Sequence, residues 1–75
     1  MTTLHELDTR GLNCPLPILR LKKALNELAA GDELHMTATD PGSVKDVESF
    51  CKQAGHQLVE AGQQGSNFVF RVRKA

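Results

Sequence analysis

Tryptophan and tyrosine are absent from this chain of 75 residues, which leaves Phe50, Phe68 and Phe70 as the only aromatic rings available to a core. Net charge is absent as well: nine lysines and arginines balance nine acidic residues. That balance argues against a nucleic-acid binder held by bulk positive charge. No apolar run approaches the roughly 20 residues that cross a bilayer. No signal peptide shows at Met1 to Glu6, which lacks both a basic and an apolar region. A cytoplasmic location is therefore expected. There are two cysteines, Cys14 and Cys51, too few for a disulfide framework. His5, His35 and His56 are scattered without metal-ligand spacing. No metal and no cofactor are expected. A chain this short buries only about 60% of the surface its unfolded form exposes. It is read as one domain, 1–75, with any functional site at its edge.

The most informative stretch is Gly11-Leu12-Asn13-Cys14-Pro15-Leu16-Pro17, directly before a helical pattern. It puts a thiol at a helix N-terminus, where backbone N–H groups lack partners and the helix dipole is positive. Both favour a thiolate, so the Cys14 pKa is expected to fall below that of a free cysteine. Pro15 suits the first helical position, where its missing N–H costs nothing. Pro17 also falls among donors without an intrahelical partner, and it restrains Leu16. Both prolines are read as shaping the site, and the thiol as stiffly presented. The alternative is a small apolar residue closing the helix entry.

Hydrophobic periodicity organises the rest. Residues 4–9 read as a strand. Residues 15–28 read as a helix with Ile18, Leu21, Leu25 and Leu28 along one stripe, capped by Gly31. Residues 33–39 alternate, with Leu34, Met36 and Ala38 facing the core. Asp40-Pro41-Gly42-Ser43 is a turn in which Ser43 caps the next helix and Asp46 completes a variant capping box. Residues 44–54 form an amphipathic helix with Val44, Val47, Phe50, Cys51 and Ala54 on one face, ended by Gly55. Residues 56–61 and 68–73 are strands joined by a hairpin around 62–65. The order βαβαββ implies an α+β fold: a two-layer α/β sandwich, with a four-stranded mixed sheet and two helices on one face. The first two strands are parallel through a right-handed crossover and the last two antiparallel. The other sheet face is expected to be wet.

In that topology Cys14 and Asp40 follow the first and second strands at one sheet edge, where open α/β sheets usually place their chemistry. Asp40 can orient a partner's cation, hydrogen-bond the Cys14 loop, or simply form the turn before proline. Cys51 is read as a core residue. The helical phase turns Leu16 and Leu19 toward solvent beside Cys14, with Lys22 at the boundary and Lys23 following Leu19 at i+4. These four are the candidate docking residues for a partner.

Leu7-Asp8, Gly11-Leu12, Cys14-Pro15-Leu16-Pro17, Lys22-Lys23 and Asp40-Pro41 together resemble the TusA family, also called SirA-like. The resemblance runs from Leu7 to the C-terminus. The stretch 39–46 is similar to members associated with sulfur oxidation. The resemblance implies a sulfur carrier on the fold just described, with Cys14 accepting sulfane sulfur as a persulfide. It implies a cysteine desulfurase or rhodanese-type donor. The implied acceptor is a relay protein serving tRNA thiolation, molybdenum-cofactor maturation or dissimilatory sulfur oxidation. Persulfide chemistry suits one exposed cysteine. A helix N-terminus can hold the anionic sulfur, and exchange proceeds by successive thiolate attacks. No substrate pocket or acid/base pair is evident, so a carrier with sulfurtransferase-type transfer is favoured over a stand-alone enzyme. Two other readings compete. A thiol-based redox protein would want a resolving cysteine, for which Cys51 is poorly placed. A non-catalytic regulatory module would leave Cys14 dispensable.

Overall fold

Alternating and helical hydrophobic patterns resolve into six elements in a computed structural model that describes residues 4–75. Residues 1–3, part of the stretch inspected for a signal peptide, lie outside the described residues. The elements are β1 (Leu4–Thr9), α1 (Leu16–Asn26), β2 (Glu33–Ala38), α2 (Ser43–Ala54), β3 (Gln57–Gln64) and β4 (Asn67–Arg73). The sheet order is β1-β2-β4-β3. β1 and β2 are parallel, while β4 pairs antiparallel with both β2 and β3. The fold is the expected βαβαββ α+β sandwich.

Cross-strand register explains the core. His5, Leu34, Val72 and Leu58 form one row across the sheet, and Leu7, Met36 and Phe70 form another. Leu34, Met36, Phe70 and Val72 are buried against Leu21 and Leu25 of α1 and Val47 and Cys51 of α2. α1 lies over β1 and β2, α2 over β3 and β4, and the helices touch each other. The opposite face is polar. There Arg73 Nη2 meets Glu33 Oε2 at 2.8 Å and His35 Nδ1 lies 3.4 Å from Glu6 Oε2. Such exposed pairs contribute roughly 0–1 kcal/mol each.

Besides one-residue shifts at the end of β2 and the starts of β3 and β4, the structure departs from the sequence reading in four further ways. First, α1 begins at Leu16 with Pro15 as its N-cap, so Pro17, which is buried, is the second helical residue. Second, α1 ends at Asn26, with Glu27 as its C-cap, so Gly31 does not cap it. Leu28 packs on the core from beyond the helix, and its carbonyl accepts a hydrogen bond from Lys74 Nζ. Gly31 N–H donates to the Lys74 carbonyl, so the chain end holds this loop down. Third, α2 starts one residue early: Gly42 is the N-cap and Ser43 is helical and buried, with no side-chain cap. Ser43 Oγ donates instead to the Asp40 carbonyl at 2.6 Å. Gly55 does end α2, in the left-handed conformation that glycine adopts without strain. Ala54, assigned to the core face, is exposed.

The fourth departure is the length of β3, which continues to Gln64 and leaves a two-residue turn at Gly65, where φ is +60°. β3 also carries a bulge between Leu58 and Glu60. Simple alternation from Leu58 would point Glu60 at the helices. The extra residue, Val59, returns Glu60 to the polar face opposite Arg71.

Candidate functional site

The end of β1 and the loop after it are fixed by polar contacts to the end of β2. Thr9 is buried, and its hydroxyl donates to the Thr37 carbonyl at 2.8 Å. Gly11 N–H donates to Thr39 Oγ1 at 2.9 Å. Asp40 then holds both loops. Its Oδ2 accepts the Cys14 N–H at 2.6 Å and its Oδ1 accepts the Gly42 N–H at 3.1 Å. Asp40 therefore does hydrogen-bond the Cys14 loop while forming its own turn. Thr9 and Thr39 were not singled out in the sequence. Their signal was their position at the ends of two parallel neighbours.

Cys14 itself is exposed and free, two residues before α1. The Cys14–Pro15 peptide bond is cis. The sulfur does not look onto a ring of free amides. Pro15 and Pro17 have no N–H, and the N–H of Leu16 is taken by the Asn13 carbonyl at 2.8 Å. What the sulfur meets is a carboxylate: Cys14 Sγ donates to Asp46 Oδ2 at 3.0 Å. Asp46 stands in the first turn of α2 and is not part of a capping box.

This geometry corrects the expected acidity of the thiol. The hydrogen bond to Asp46 is the main influence, and it raises the Cys14 pKa above its ordinary value. Desolvation and the negative charges of Asp46 and Asp40 act in the same direction. The two prolines that announce the helix start offer no N–H to a thiolate, and the Leu16 N–H between them is already bonded. Asp8 shows the opposite case: two side-chain hydrogen bonds and a backbone one from Arg10 hold it down at about 2.

A groove of about 240 Å³ opens beside the sulfur between α1 and α2, lined by Ile18, Lys22, Asp46, Ser49 and Phe50 among others. Lys22 Nζ lies 5.5 Å from the centre of the Phe50 ring. A larger hollow of about 480 Å³ lies on the polar sheet face along β3 and β4, and contains no cysteine. Leu16 and Leu19 are 46% and 51% exposed, as the helical phase requires, and Lys22 and Lys23 are exposed beside them. Cys51 is 3% exposed in the core, and burial pushes its thiol pKa up. Among the described residues no cluster of histidine, cysteine and acidic side chains is arranged to hold a metal.

Known proteins resemble this chain along nearly its whole length. The family described as sulfurtransferase TusA matches residues 5–74. The chain is 56% identical over 71 residues to the sulfur carrier protein TusA of Allochromatium vinosum, covering 95% of this chain and 93% of that one. It is 41% identical over 73 residues to the sulfur carrier protein TusA of Pseudomonas entomophila, covering 95% and 91%. Among solved structures, a SirA-like protein from Desulfitobacterium hafniense superposes with a TM-score of 0.82 at 25% identity, covering 95% of this chain and 96% of that one. Matched over nearly its whole length in sequence and in fold, the chain belongs to the TusA family.

Proposed function

We propose that this chain is a sulfur carrier that takes sulfane sulfur from a donor protein as a persulfide on Cys14 and passes it to an acceptor. The observation that carries this reading is the single exposed thiol, held on a loop anchored by Asp40 and bordered by Leu16 and Leu19. In the loading step the Cys14 sulfur attacks the terminal sulfur of the donor's persulfide. A new S–S bond forms on Cys14 and the donor's S–S bond breaks. Its electron pair leaves with the donor cysteine, which takes up a proton, while Cys14 gives one up. Nothing is oxidised or reduced overall. Unloading is the same exchange with the acceptor's thiolate as nucleophile.

The donor in this reading is a cysteine desulfurase or a rhodanese-type protein. The acceptor is a relay protein for tRNA thiolation, molybdenum-cofactor maturation or sulfur oxidation, with the likeness at 39–46 favouring the last. Leu16 and Leu19 supply the apolar contact, and Lys22 and Lys23 attract an acidic partner. No helix among the described residues is long and apolar enough to cross a membrane. The reading includes a cytoplasmic location, where free thiols persist.

Incubation with a desulfurase and sulfur-labelled cysteine tests the reading. One sulfur should load on the wild type and on Cys51→Ala, and none on Cys14→Ser. Equal loading of Cys14→Ser would overturn it. Burial of Cys51 speaks against the redox alternative, which would need that thiol as a resolving partner.

A further inference from the structure

We propose that Asp46 is a positioning residue that distinguishes the empty carrier from the loaded one: it holds the Cys14 thiol by accepting its hydrogen bond, and it turns the persulfide away into the groove between α1 and α2, against Lys22. This inference rests on the carrier reading for its second half only. Its first half is a property of the empty protein.

The argument begins with the proton. Cys14 Sγ donates to Asp46 Oδ2 at 3.0 Å, and a carboxylate can accept that bond only while the sulfur carries hydrogen. The charges acting on the sulfur are Asp46 from α2 and Asp40 from the loop after β2, while Lys22 from α1 lines the groove that opens beside it. Both carboxylates disfavour a thiolate, and burial of the site's surroundings adds to the effect. The empty carrier thus rests as a thiol with its sulfur fixed at the mouth of the groove.

Loading inverts the contact. The Cys14 persulfide ends in an anionic sulfur with no hydrogen to donate. Against Asp46 it meets only like charge. The groove, which Asp46 itself borders, offers the opposite charge on its α1 wall. Ile18 and Phe50 give apolar walls for a polarisable sulfur, Ser49 gives a hydroxyl, and Lys22 gives the one positive charge lining the groove. Asp46 and Lys22 therefore hold two positions for the same residue, selected by whether the extra sulfur is present. The proton balance agrees. Cys14 gives up one proton on loading, and Asp46 is hydrogen-bonded to the atom that loses it.

Asp46→Asn keeps the side-chain volume and removes the charge. Iodoacetamide alkylation of the empty variant, followed against pH, should show its midpoint at lower pH than wild type and react several-fold faster at neutral pH, with an unchanged melting temperature. A profile that superimposes on wild type would overturn the hold by Asp46. The second half is read on the wild-type protein without any variant. Loading with inorganic polysulfide should move the NMR signals of the Asp46 carboxyl carbon and the Lys22 Nζ group together. Movement of Asp46 without Lys22 would overturn the groove position. If Cys14→Ser and wild type take up sulfur equally, the carrier reading fails, while the alkylation profile still decides whether Asp46 holds the thiol.

Discussion

The backbone N–H of Cys14 donates to Oδ2 of Asp40 at 2.6 Å, tying the loop after β1 to the loop after β2 across 26 residues of sequence. The same carboxylate accepts the Gly42 N–H at 3.1 Å, so one side chain sets both the thiol loop and the entry to α2. Asp40→Ala removes two hydrogen bonds to an ionised acceptor. It should cost about 1–3 kcal/mol, since both donors are solvent-exposed and water replaces part of each bond. The check is a denaturant melt alongside hydrogen exchange at Cys14 and Gly42, where protection should vanish first.

The pH dependence of the wild-type thiol follows from its surroundings. Its pKa is raised by the hydrogen bond to Asp46, then by desolvation and the charges of Asp46 and Asp40. The thiolate fraction at neutral pH is therefore smaller than for free cysteine, and alkylation should accelerate only at higher pH. Thiolate absorbance measured against pH, with N-acetylcysteine as reference, checks the sign. A midpoint below the reference would mean that the helix N-terminus outweighs both carboxylates.

Leu19 is half exposed on α1, so Leu19→Asp should change stability by no more than about 0.5 kcal/mol. It should slow sulfur transfer and weaken donor or acceptor binding. Melting temperature and transfer rate measured on one preparation separate the two effects. Unfolding would show that Leu19 is packed. Normal folding with wild-type transfer would move the docking surface elsewhere.

The two lysines should behave differently. Lys22 sits against the Phe50 ring, and Lys22→Ala should cost about 0.5–1 kcal/mol of stability through the lost cation–π contact. Lys23 is exposed near the end of α1 and is the cleaner electrostatic probe. Lys23→Glu should slow transfer more at low salt than at high salt, because exposed charges are screened. An equal loss at both salt concentrations would exclude steering.

Phe70 is 1% exposed in the row that crosses the middle of the sheet. Phe70→Ala should cost about 3–5 kcal/mol, and in a small domain that approaches the whole of its stability. Circular dichroism should show a chain largely unfolded at physiological temperature.

How much of this was legible in the sequence depended on the range of the interaction. The alternation of Leu34, Met36 and Ala38 and the stripe of Leu21 and Leu25 encode burial directly, and those residues are the core. The exposure of Leu16 and Leu19 followed from the same phase. Strand β3 was harder: Gln63 and Gln64 carry no alternation, and the bulge at Val59 shifts the phase from within. The Cys14 to Asp46 contact was not legible, because it spans 32 residues and exists only once α2 packs beside the β1–α1 loop. Asp46 had a local explanation as a capping residue, and that explanation hid the distant one. The dipole argument failed for a related reason. It counted the missing N–H groups of Pro15 and Pro17 as harmless to the helix and did not weigh them as donors lost to the sulfur.

Cys51 stands beneath α2 at 3% exposure, and this has an arithmetical consequence for a carrier. With one reachable thiol, Cys14, each copy has a single loading point under the proposed persulfide reading. Traffic through such a relay scales with the number of copies and with how often each is refilled.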